Sequence, residues 1–383
     1  MKQPNERKRI LLVYYKLFKA GGVARVMTNL ANELVEQGYE VSVLLMVKNT
    51  DSFFYLDKRV KIEVIDTFSH WGFQKINVNL NKYASRLPYK NNIKNYVYDF
   101  GQWQMLHNWM NKNHDNYDII ISCWYKLSSQ LAVHKKVRKK TIAWEHANYQ
   151  VGGVWWKGLL RRNYKKIKAI VCINTDSYNH YKLLNSSTWH IPNIIGLPFE
   201  SYDSKQNSQK ENTLIYVGRL DDDKNVEELL KILENINFNR FQLKIIGDGP
   251  SKNKIEKMIE ASNHLKHHVQ LLGLCTIEEI YKELSRSKIF LFTSKKECLP
   301  TVLIEANLCS NALIAYDCPF GPSDIINDKN GFLVPLHDQK TFQEKLTYLI
   351  QNEEELNRLM ETSCKESKKW RKTAIIEQWK KIL

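Results

Sequence analysis

The sequence predicts an α/β protein of two Rossmann-like, doubly wound domains that face each other across a cleft. At 383 residues the chain exceeds one ordinary core and suits two domains, since single domains commonly hold about 100 to 200 residues. Both halves alternate short β-branched runs with helical stretches, the pattern of parallel sheets whose strands are joined by crossover helices. A polar stretch without periodicity, residues 201–212, separates the two halves.

Apolar runs bounded by turn residues predict the strands of both sheets. In the first half they are residues 10–15, 41–47, 62–65, 119–122, 141–144 and 169–173. In the second half they are residues 213–217, 242–246, 269–272, 289–292, 312–315 and 332–334. We therefore expect an N-terminal domain over residues 1–200, a linker over 201–212 and a C-terminal domain over 213–360. A C-terminal helix within 361–383 is expected to pack back toward the N-terminal domain.

Charge and cysteine content limit the functional classes. Lys and Arg number 57 and Asp and Glu 41, a net charge of +16 that attracts nucleic acid, anionic lipid or phosphorylated substrates. The seven cysteines form no C-x-x-C pair, so neither a disulfide framework nor a zinc ribbon is expected. The sequence has no run of about 18 consecutive apolar residues that could span a bilayer. The apolar run after the basic N-terminus is too short for a secretion signal. We therefore expect a cytoplasmic protein.

A glycine pair follows the first predicted strand and opens a predicted helix over residues 23–37. Gly21 and Gly22 would let a ligand approach the backbone, and the amides at the helix start would bind an anion. A tight strand-to-helix turn explains the pair equally well. The pair is not a G-x-G-x-x-G motif, so the sequence gives little support for a nicotinamide cofactor.

Two cations follow the first strand of the second half. Arg219 comes directly after Gly218 at the strand end, and Lys224 precedes a helix. Open α/β sheets bind ligands at the carboxyl ends of their strands, where an Arg and a Lys would neutralise a diphosphate; the alternative is a solvated loop. The aspartates at 221–223 could hold Mg²⁺, but such a run more often caps a helix, so we predict no metal site.

Two glutamates flank the start of a predicted helix in the second half. Glu297 lies in the loop after strand 289–292, Pro300 and Thr301 begin the helix, and Glu305 lies in its second turn. Carboxylates at this spacing can serve different parts of one ligand, for example the vicinal hydroxyls of a ribose and a sugar. The pair by itself is common by chance.

In order and spacing these motifs resemble glycosyltransferase family 4, which has the GT-B fold. The resemblance is clear across residues 190–335 and thinner in the N-terminal half. The matching segments are Gly21-Gly22, Trp144-Glu145-His146, Ile191-Pro192-Asn193, Val217-Gly218-Arg219-Leu220 with Lys224, Ile246-Gly247-Asp248-Gly249-Pro250, and Glu297 to Glu305 with Pro300. One departure is Cys298, where the family usually has glycine. Because Cys resists positive φ, the backbone is expected to follow a different path there.

The resemblance implies the roles of the site residues. Catalytic roles fall to Arg219 and Lys224 on the diphosphate, Glu297 on the transferred sugar and His146 reaching that sugar. Glu305 would bind the ribose. The other implied donor-binding residues are Gly21, Gly22, Gly218, Gly247, Leu299, Pro300, Thr301 and Val302.

The resemblance also implies the reaction. It is a transfer with retention from a nucleotide sugar, bound by the C-terminal domain, to a lipid-linked or polysaccharide acceptor, bound by the N-terminal domain. No metal or other cofactor is expected. Residues 317–326 are similar to a stretch of family members that build lipopolysaccharide, O-antigen or capsule, which favours a UDP-hexose or its N-acetylated form.

A basic aromatic segment in the first half suggests contact with a membrane or an acceptor. It carries no acid over residues 151–170, and cations beside tryptophans suit an anionic headgroup layer. A solvated helix face explains it equally well, and residues 81–98 have similar character. We expect a peripheral enzyme at the inner face of the cell membrane. The residues singled out are Trp155, Trp156, Lys157, Arg161, Arg162 and Lys165.

Two other functions fit part of the pattern. The same scaffold could carry a UDP-sugar epimerase or a glucan synthase, of which the epimerase needs no acceptor. A non-catalytic polyanion-binding protein would explain the charge but not the motifs. We expect no nucleic-acid partner.

Overall fold

The computed structural model describes residues 7–19, 21–48, 50–75, 78, 90–151 and 161–383. Contacts divide the chain into two compact units, Met1–Ile191 with Gln378–Leu383, and Pro192–Glu377. The boundary therefore lies near residue 191 and not at the predicted linker, residues 201–212. That segment belongs to the second unit because Tyr202 and Lys210 are buried in it.

The first unit contains a parallel sheet of seven strands in the order β3-β2-β1-β4-β5-β6-β7. The central strands are buried along their length, as expected for a parallel sheet covered on both faces. The last strand was not predicted, because it has only three residues at the sheet edge. The strands are β1 Arg9–Tyr14, β2 Glu40–Leu45, β3 Lys61–Val64, β4 Ile119–Ser122, β5 Thr141–Glu145, β6 Ala169–Cys172 and β7 Thr188–His190.

Helices connect these strands. The first begins one residue before its predicted start and buries an apolar face that includes Met27, Leu30 and Leu34. Among the described residues no helix is long and apolar enough to cross a membrane. The α-helices of this unit whose bounds fall within the described residues include α1 Gly22–Glu36, α2 Lys90–Asn113, α3 Tyr125–Val133 and α4 Thr175–Lys182.

The second unit contains a parallel sheet of six strands in the order β10-β9-β8-β11-β12-β13. All six were predicted, because each is an apolar run between turn residues. The strands are β8 Thr213–Val217, β9 Gln242–Ile246, β10 Val269–Gly273, β11 Ile289–Phe292, β12 Ala312–Asp317 and β13 Gly331–Pro335. The helices are α5 Val226–Leu233, α6 Lys252–Ala261, α7 Asn263–His268, α8 Ile277–Arg286, α9 Thr301–Leu308, α10 Pro322–Ile325, α11 Gln339–Gln351, α12 Glu353–Glu366 and α13 Lys372–Lys380.

The end of the chain leaves the second unit and joins the first. The Trp379 ring packs edge-on against Trp144 of β5, with 5.2 Å between centroids. Lys8 donates a hydrogen bond from Nζ to the carbonyl of Leu383 at 3.0 Å.

Strand order fixes where each sheet can hold a ligand. Both sheets contain the doubly wound order in which the chain runs outward from a central strand and then resumes on its other side. The switch point lies between β1 and β4 in the first sheet, and between β8 and β11 in the second. Ligands of such sheets bind outside the carboxyl ends of the strands at the switch point.

Candidate functional site

The turn after β8 holds both predicted phosphate cations. The Arg219 side chain is 70% exposed, and its Nε lies 2.6 Å from Oδ2 of Asp221. The other carboxylate oxygen of Asp221 accepts a hydrogen bond from the Lys224 amide at 3.0 Å. One carboxylate thus shapes the turn and orients the guanidinium, which stays open to a ligand.

The three aspartates do not cap the following helix, so that prediction is wrong. Helix α5 begins at Val226, and the residue before it is Asn225. Asp221 bonds within its own turn, because the turn interposes Lys224 and Asn225 before the helix. Over the described ranges, no group of three or more His, Cys, Asp or Glu side chains is arranged to hold a metal ion.

The loop after β11 brings Glu297 to Lys224. The Lys224 Nζ and Glu297 Oε1 form an ion pair, with 25% and 12% of the two side chains exposed. The same Nζ lies 6.0 Å from the centroid of the Phe292 ring. The structure therefore brings three predicted residues, Arg219, Lys224 and Glu297, to the switch point of the second sheet.

A buried phenol lies beneath this group. Tyr216 in β8 is 1% exposed, and its hydroxyl has no hydrogen-bond partner within the part of the chain that the structure describes. Burial, and then the carboxylates of Glu297 and Asp221, raise the pKa of Tyr216. Cys318, directly after β12, is affected by the same carboxylate: burial, and then Glu297, raise the pKa of its thiol to about 12. Both groups stay protonated and neutral.

The backbone at Cys298 needs no positive φ. The φ angle of Cys298 is not positive, whereas Phe320 has φ 69° and Gly321 has φ 97°. A Cβ at Gly321 would lie 2.6 Å from Cδ of Pro300 and 3.0 Å from the Cys298 carbonyl oxygen. Because glycine allows that close approach, the loop after β12 packs directly on the loop that carries Glu297.

The predicted helix after this loop begins at Thr301, as expected. Leu299 and Pro300 are buried, and Thr301 and Val302 are partly buried. Glu305 lies in the second turn and is 3% exposed. The helix start therefore directs its amides toward the Glu297 loop, while the second glutamate is covered.

Two predicted donor-site glycines are explained by packing. A Cβ at Gly247, which has φ 149°, would lie 1.9 Å from the Gly218 carbonyl oxygen. A Cβ at Gly218 would lie 2.8 Å from the Tyr216 hydroxyl. Gly247 has no room for a side chain because the ends of β8 and β9 approach closely, and Gly218 has none because the Tyr216 hydroxyl occupies the space.

Gly21 and Gly22, in the first unit, have the opposite surroundings. Both are exposed, and a Cβ at either would meet nothing within 4 Å. Gly21 precedes α1 without a side-chain cap. The fold therefore does not need glycine here to relieve crowding.

His146 follows β5 in the first unit and is 9% exposed. Burial lowers the pKa of His146 to about 3, so the ring is neutral at pH 7. Its centroid lies 4.2 Å from that of Trp144. Its Nε2 has no hydrogen-bond partner among the described residues. The ring can therefore offer a nitrogen to a hydroxyl, but not a positive charge to a phosphate.

Arg161 was predicted to face a membrane or acceptor, and this prediction is wrong. It is 4% exposed, and its Nη2 lies 3.4 Å from Oε2 of the buried Glu145. Its Nη1 donates to the carbonyls of Tyr149 and Val151 at 2.6 and 2.8 Å. The guanidinium also lies over the Tyr125 ring, 4.3 Å from the centroid. Arg161 is therefore a core residue that pairs with the buried Glu145 carboxylate.

The other members of the basic segment divide into two groups. Arg162 and Lys165 are exposed, as predicted. Trp155, Trp156 and Lys157 lie outside the described residues, as do residues 81–89 of the second basic aromatic segment, residues 81–98.

Two family models match the chain and extend through both units. Residues 20–195 match Glycosyltransferase Family 4, and residues 199–366 match Glycosyl transferases group 1. With the two parallel sheets, these matches define a glycosyltransferase of the GT-B fold. The chain therefore has a Glycosyltransferase Family 4 domain followed by a Glycosyl transferases group 1 domain.

Curated relatives span nearly the whole chain. It is 24% identical to the amylovoran biosynthesis glycosyltransferase AmsD of Erwinia amylovora, over 98% of this chain and 99% of the relative. It is 25% identical to a Campylobacter jejuni enzyme named GalNAc-alpha-(1->4)-GalNAc-alpha-(1->3)-diNAcBac-PP-undecaprenol alpha-1,4-N-acetyl-D-galactosaminyltransferase, over 95% of each chain.

A solved structure shows the same fold. A mutant of S. aureus TarM in complex with fondaparinux, alpha-GlcNAc-glycerol and UDP superposes with a TM-score of 0.71 at 17% identity. The match covers 98% of this chain and 99% of that one.

Several residues at the site were not anticipated from the sequence. Asp221 was considered only as a cap or a metal ligand, and Tyr216 only as part of a strand. The left-handed turn at Asn225 could have been predicted, because Asn tolerates left-handed backbone and stands here directly before a helix.

Proposed function

We propose that the enzyme transfers a hexose or an N-acetylhexosamine from a UDP-sugar to a lipid-linked or polysaccharide acceptor during cell-surface polysaccharide synthesis. The observation that carries the proposal is the grouping of Arg219, Lys224 and Glu297 at the switch point of the second sheet. The names of the Erwinia and Campylobacter relatives support the acceptor class, and the UDP bound to TarM supports the donor.

In this proposal the donor diphosphate binds between two cations. Arg219 supplies a planar fork and Lys224 a compact charge, and the negative charge that grows on the leaving diphosphate strengthens both contacts in the transition state. Glu297 and the amides of Leu299, Thr301 and Val302 would bind the transferred sugar, and Glu305 the ribose. In the first unit, Gly22 would approach the phosphates.

We further propose transfer with retention and without a metal ion. The acceptor hydroxyl would attack on the face from which the diphosphate departs, and a diphosphate oxygen would take the hydroxyl proton. The two cations would neutralise the leaving group in place of a metal. His146 is neutral, which suits a hydrogen bond to a sugar hydroxyl.

The proposed contact with the membrane rests on fewer residues than the sequence suggested. Arg162 and Lys165 are exposed and could contact anionic headgroups, each worth about 1 kcal/mol near the surface. Arg161 cannot contact headgroups because its side chain is buried. We propose a peripheral enzyme at the inner face of the cell membrane. Failure to float with anionic liposomes at low salt would contradict this.

A donor screen tests the proposed reaction. The enzyme is incubated with UDP- and GDP-sugars without acceptor, and the products are identified by NMR. We expect slow release of UDP and free sugar from one UDP-sugar. An epimerised nucleotide sugar would identify an epimerase instead. A protein that neither hydrolyses any donor nor gains thermal stability with UDP would fit the polyanion-binding alternative.

A further inference from the structure

A buried carboxylate lies behind the Lys224 turn and has no role in the proposed reaction. Glu228, in the first turn of α5, is 9% exposed. Its Oε2 accepts a hydrogen bond from Asn225 Nδ2 at 2.7 Å and lies 2.8 Å from His337 Nδ1. Its Oε1 accepts a hydrogen bond from the Tyr316 hydroxyl at 2.7 Å. All three partners come from segments at the carboxyl edge of the sheet.

These contacts keep the carboxylate ionised. Burial alone would raise its pKa, but the contacts from Asn225, Tyr316 and His337 outweigh burial and hold the pKa of Glu228 below its usual range. An ionised carboxylate accepts stronger hydrogen bonds than a neutral group.

Two of the partners have an unfavourable backbone conformation. Asn225 has φ 56° and His337 φ 67°, in the left-handed region that residues other than glycine seldom adopt, although Asn and His adopt it more often than most. Such conformations persist where surrounding contacts over-determine them. The Glu228 carboxylate supplies a contact to each.

Asn225 connects this carboxylate to the phosphate cation, because it directly follows Lys224. Thr293 Oγ1 lies 3.3 Å from the Lys224 carbonyl oxygen and 3.2 Å from that of Asn225. On the other side, the Lys224 amide bonds to Asp221. The Lys224 backbone is therefore held at both ends, and Glu228 secures the end nearer the helix.

Tyr316 connects the carboxylate to the other half of the site. It lies in β12, and the loop after that strand packs through Gly321 on the loop that carries Glu297. Glu228 thus contacts both the segment that presents Lys224 and the strand behind the support of Glu297.

We propose that Glu228 is a positioning residue of the donor site, which fixes the Lys224 backbone through Asn225, Tyr316 and His337 without touching the donor. The proposal rests on the proposed binding of the donor diphosphate by Lys224. Its consequence is that loss of Glu228 weakens UDP binding through Lys224, because UDP carries no sugar for the Glu297 loop to bind.

The test compares two replacements at one position, both measured well below their unfolding temperatures. Glu228→Ala should weaken UDP binding and raise the donor KM about tenfold, within the roughly hundredfold loss that a small misplacement can cause. Glu228→Gln should recover most of this loss, because its oxygen can accept from Asn225 and His337 while its NH₂ donates to Tyr316. Glu227→Gln is the matched control, since Glu227 pairs with Lys254 of α6.

A double-mutant cycle with Lys224→Ala decides the mechanism. If Glu228 acts through Lys224, the variant lacking both side chains binds UDP as weakly as Lys224→Ala alone. Additive losses, or wild-type UDP affinity in Glu228→Ala, would overturn the proposal. If Glu228→Ala fails to fold, Tyr316→Phe removes one hydrogen bond and should give a smaller loss that also vanishes without Lys224. Failure of the proposed function itself looks different, because the wild-type enzyme would then neither bind UDP nor hydrolyse any UDP-sugar.

Discussion

Lys224 and Glu297 form an ion pair that joins the turn after β8 to the loop after β11, across 73 residues of sequence. Both side chains are mostly buried, so the attraction is less screened than at an open surface. A diphosphate that binds Lys224 has to compete with this carboxylate. The pair therefore holds the two groups in place before the donor arrives, and it opposes binding of UDP that carries no sugar.

Removing the carboxylate should strengthen UDP binding. Glu297→Gln is expected to bind UDP about two- to fivefold more tightly, the range of a partly exposed ion pair, while sugar transfer falls because the sugar loses a contact. Isothermal titration with UDP and turnover with the donor measure the two effects. Glu354→Gln, an exposed site on α12, controls for the change in net charge. Weaker UDP binding by Glu297→Gln would contradict the competition.

A methyl group at Gly22 should separate folding from function. Because a Cβ there meets nothing within 4 Å, Gly22→Ala should keep the unfolding temperature of the wild type. The donor KM should rise about tenfold if phosphate approaches this backbone, since overpacking by one methyl costs about 1 to 3 kcal/mol. Thermal unfolding and steady-state kinetics are the measurements. An unchanged KM would remove Gly22 from the donor site.

His146 should make the protein less stable in mild acid. Its pKa is about 3 in the folded protein and about 6.5 when exposed, so below pH 6.5 the unfolded chain binds a proton that the folded protein does not. Stability is therefore lost as pH falls. This residue alone should cost about 1 kcal/mol between pH 7 and pH 5.5. Denaturant unfolding of wild type and His146→Gln at both pH values measures the difference, and equal pH dependence would contradict the assigned burial.

Arg161 and Arg162 are neighbours with opposite expected effects. Arg161→Ala leaves the Glu145 carboxylate buried without its cation and should lower the free energy of unfolding by about 3 to 5 kcal/mol. Arg162→Ala should change it by about 0.5 kcal/mol or less, because that side chain is exposed. Denaturant titration compares the two. Similar stabilities would mean that Arg161 faces solvent after all.

The sheets could be predicted from the sequence because parallel strands are buried on both faces and form continuous apolar runs. The seventh strand of the first sheet, Thr188–His190, escaped because its three residues form no such run. The resemblance placed Lys224 and Glu297 in one site, whereas the strand order that sets β8 beside β11 came from the structure. Their roles, like those of Glu305 and His146, remain predictions.

The error at Arg161 has a clear physical cause. Arg161 looked like a surface cation because its partner, Glu145, lies on a different element, and only the fold brings the two together. The network around Glu228 was equally hidden, because Tyr316 and His337 come from distant parts of the chain. The local sequence pattern predicts where strands end and turns begin. Which buried charges pair across distant parts of the chain can be seen only in the structure.

The most direct test of the central claim is the rate of sugar release from the preferred UDP-sugar by Lys224→Ala. Lys231→Ala, an exposed lysine on α5, serves as the control. If Lys224 stabilises the leaving diphosphate, its loss should slow the reaction about 10²- to 10³-fold, the usual effect of removing one such group, while the control keeps the wild-type rate. Wild-type turnover in a folded Lys224→Ala enzyme would contradict the claim that this turn holds the donor diphosphate.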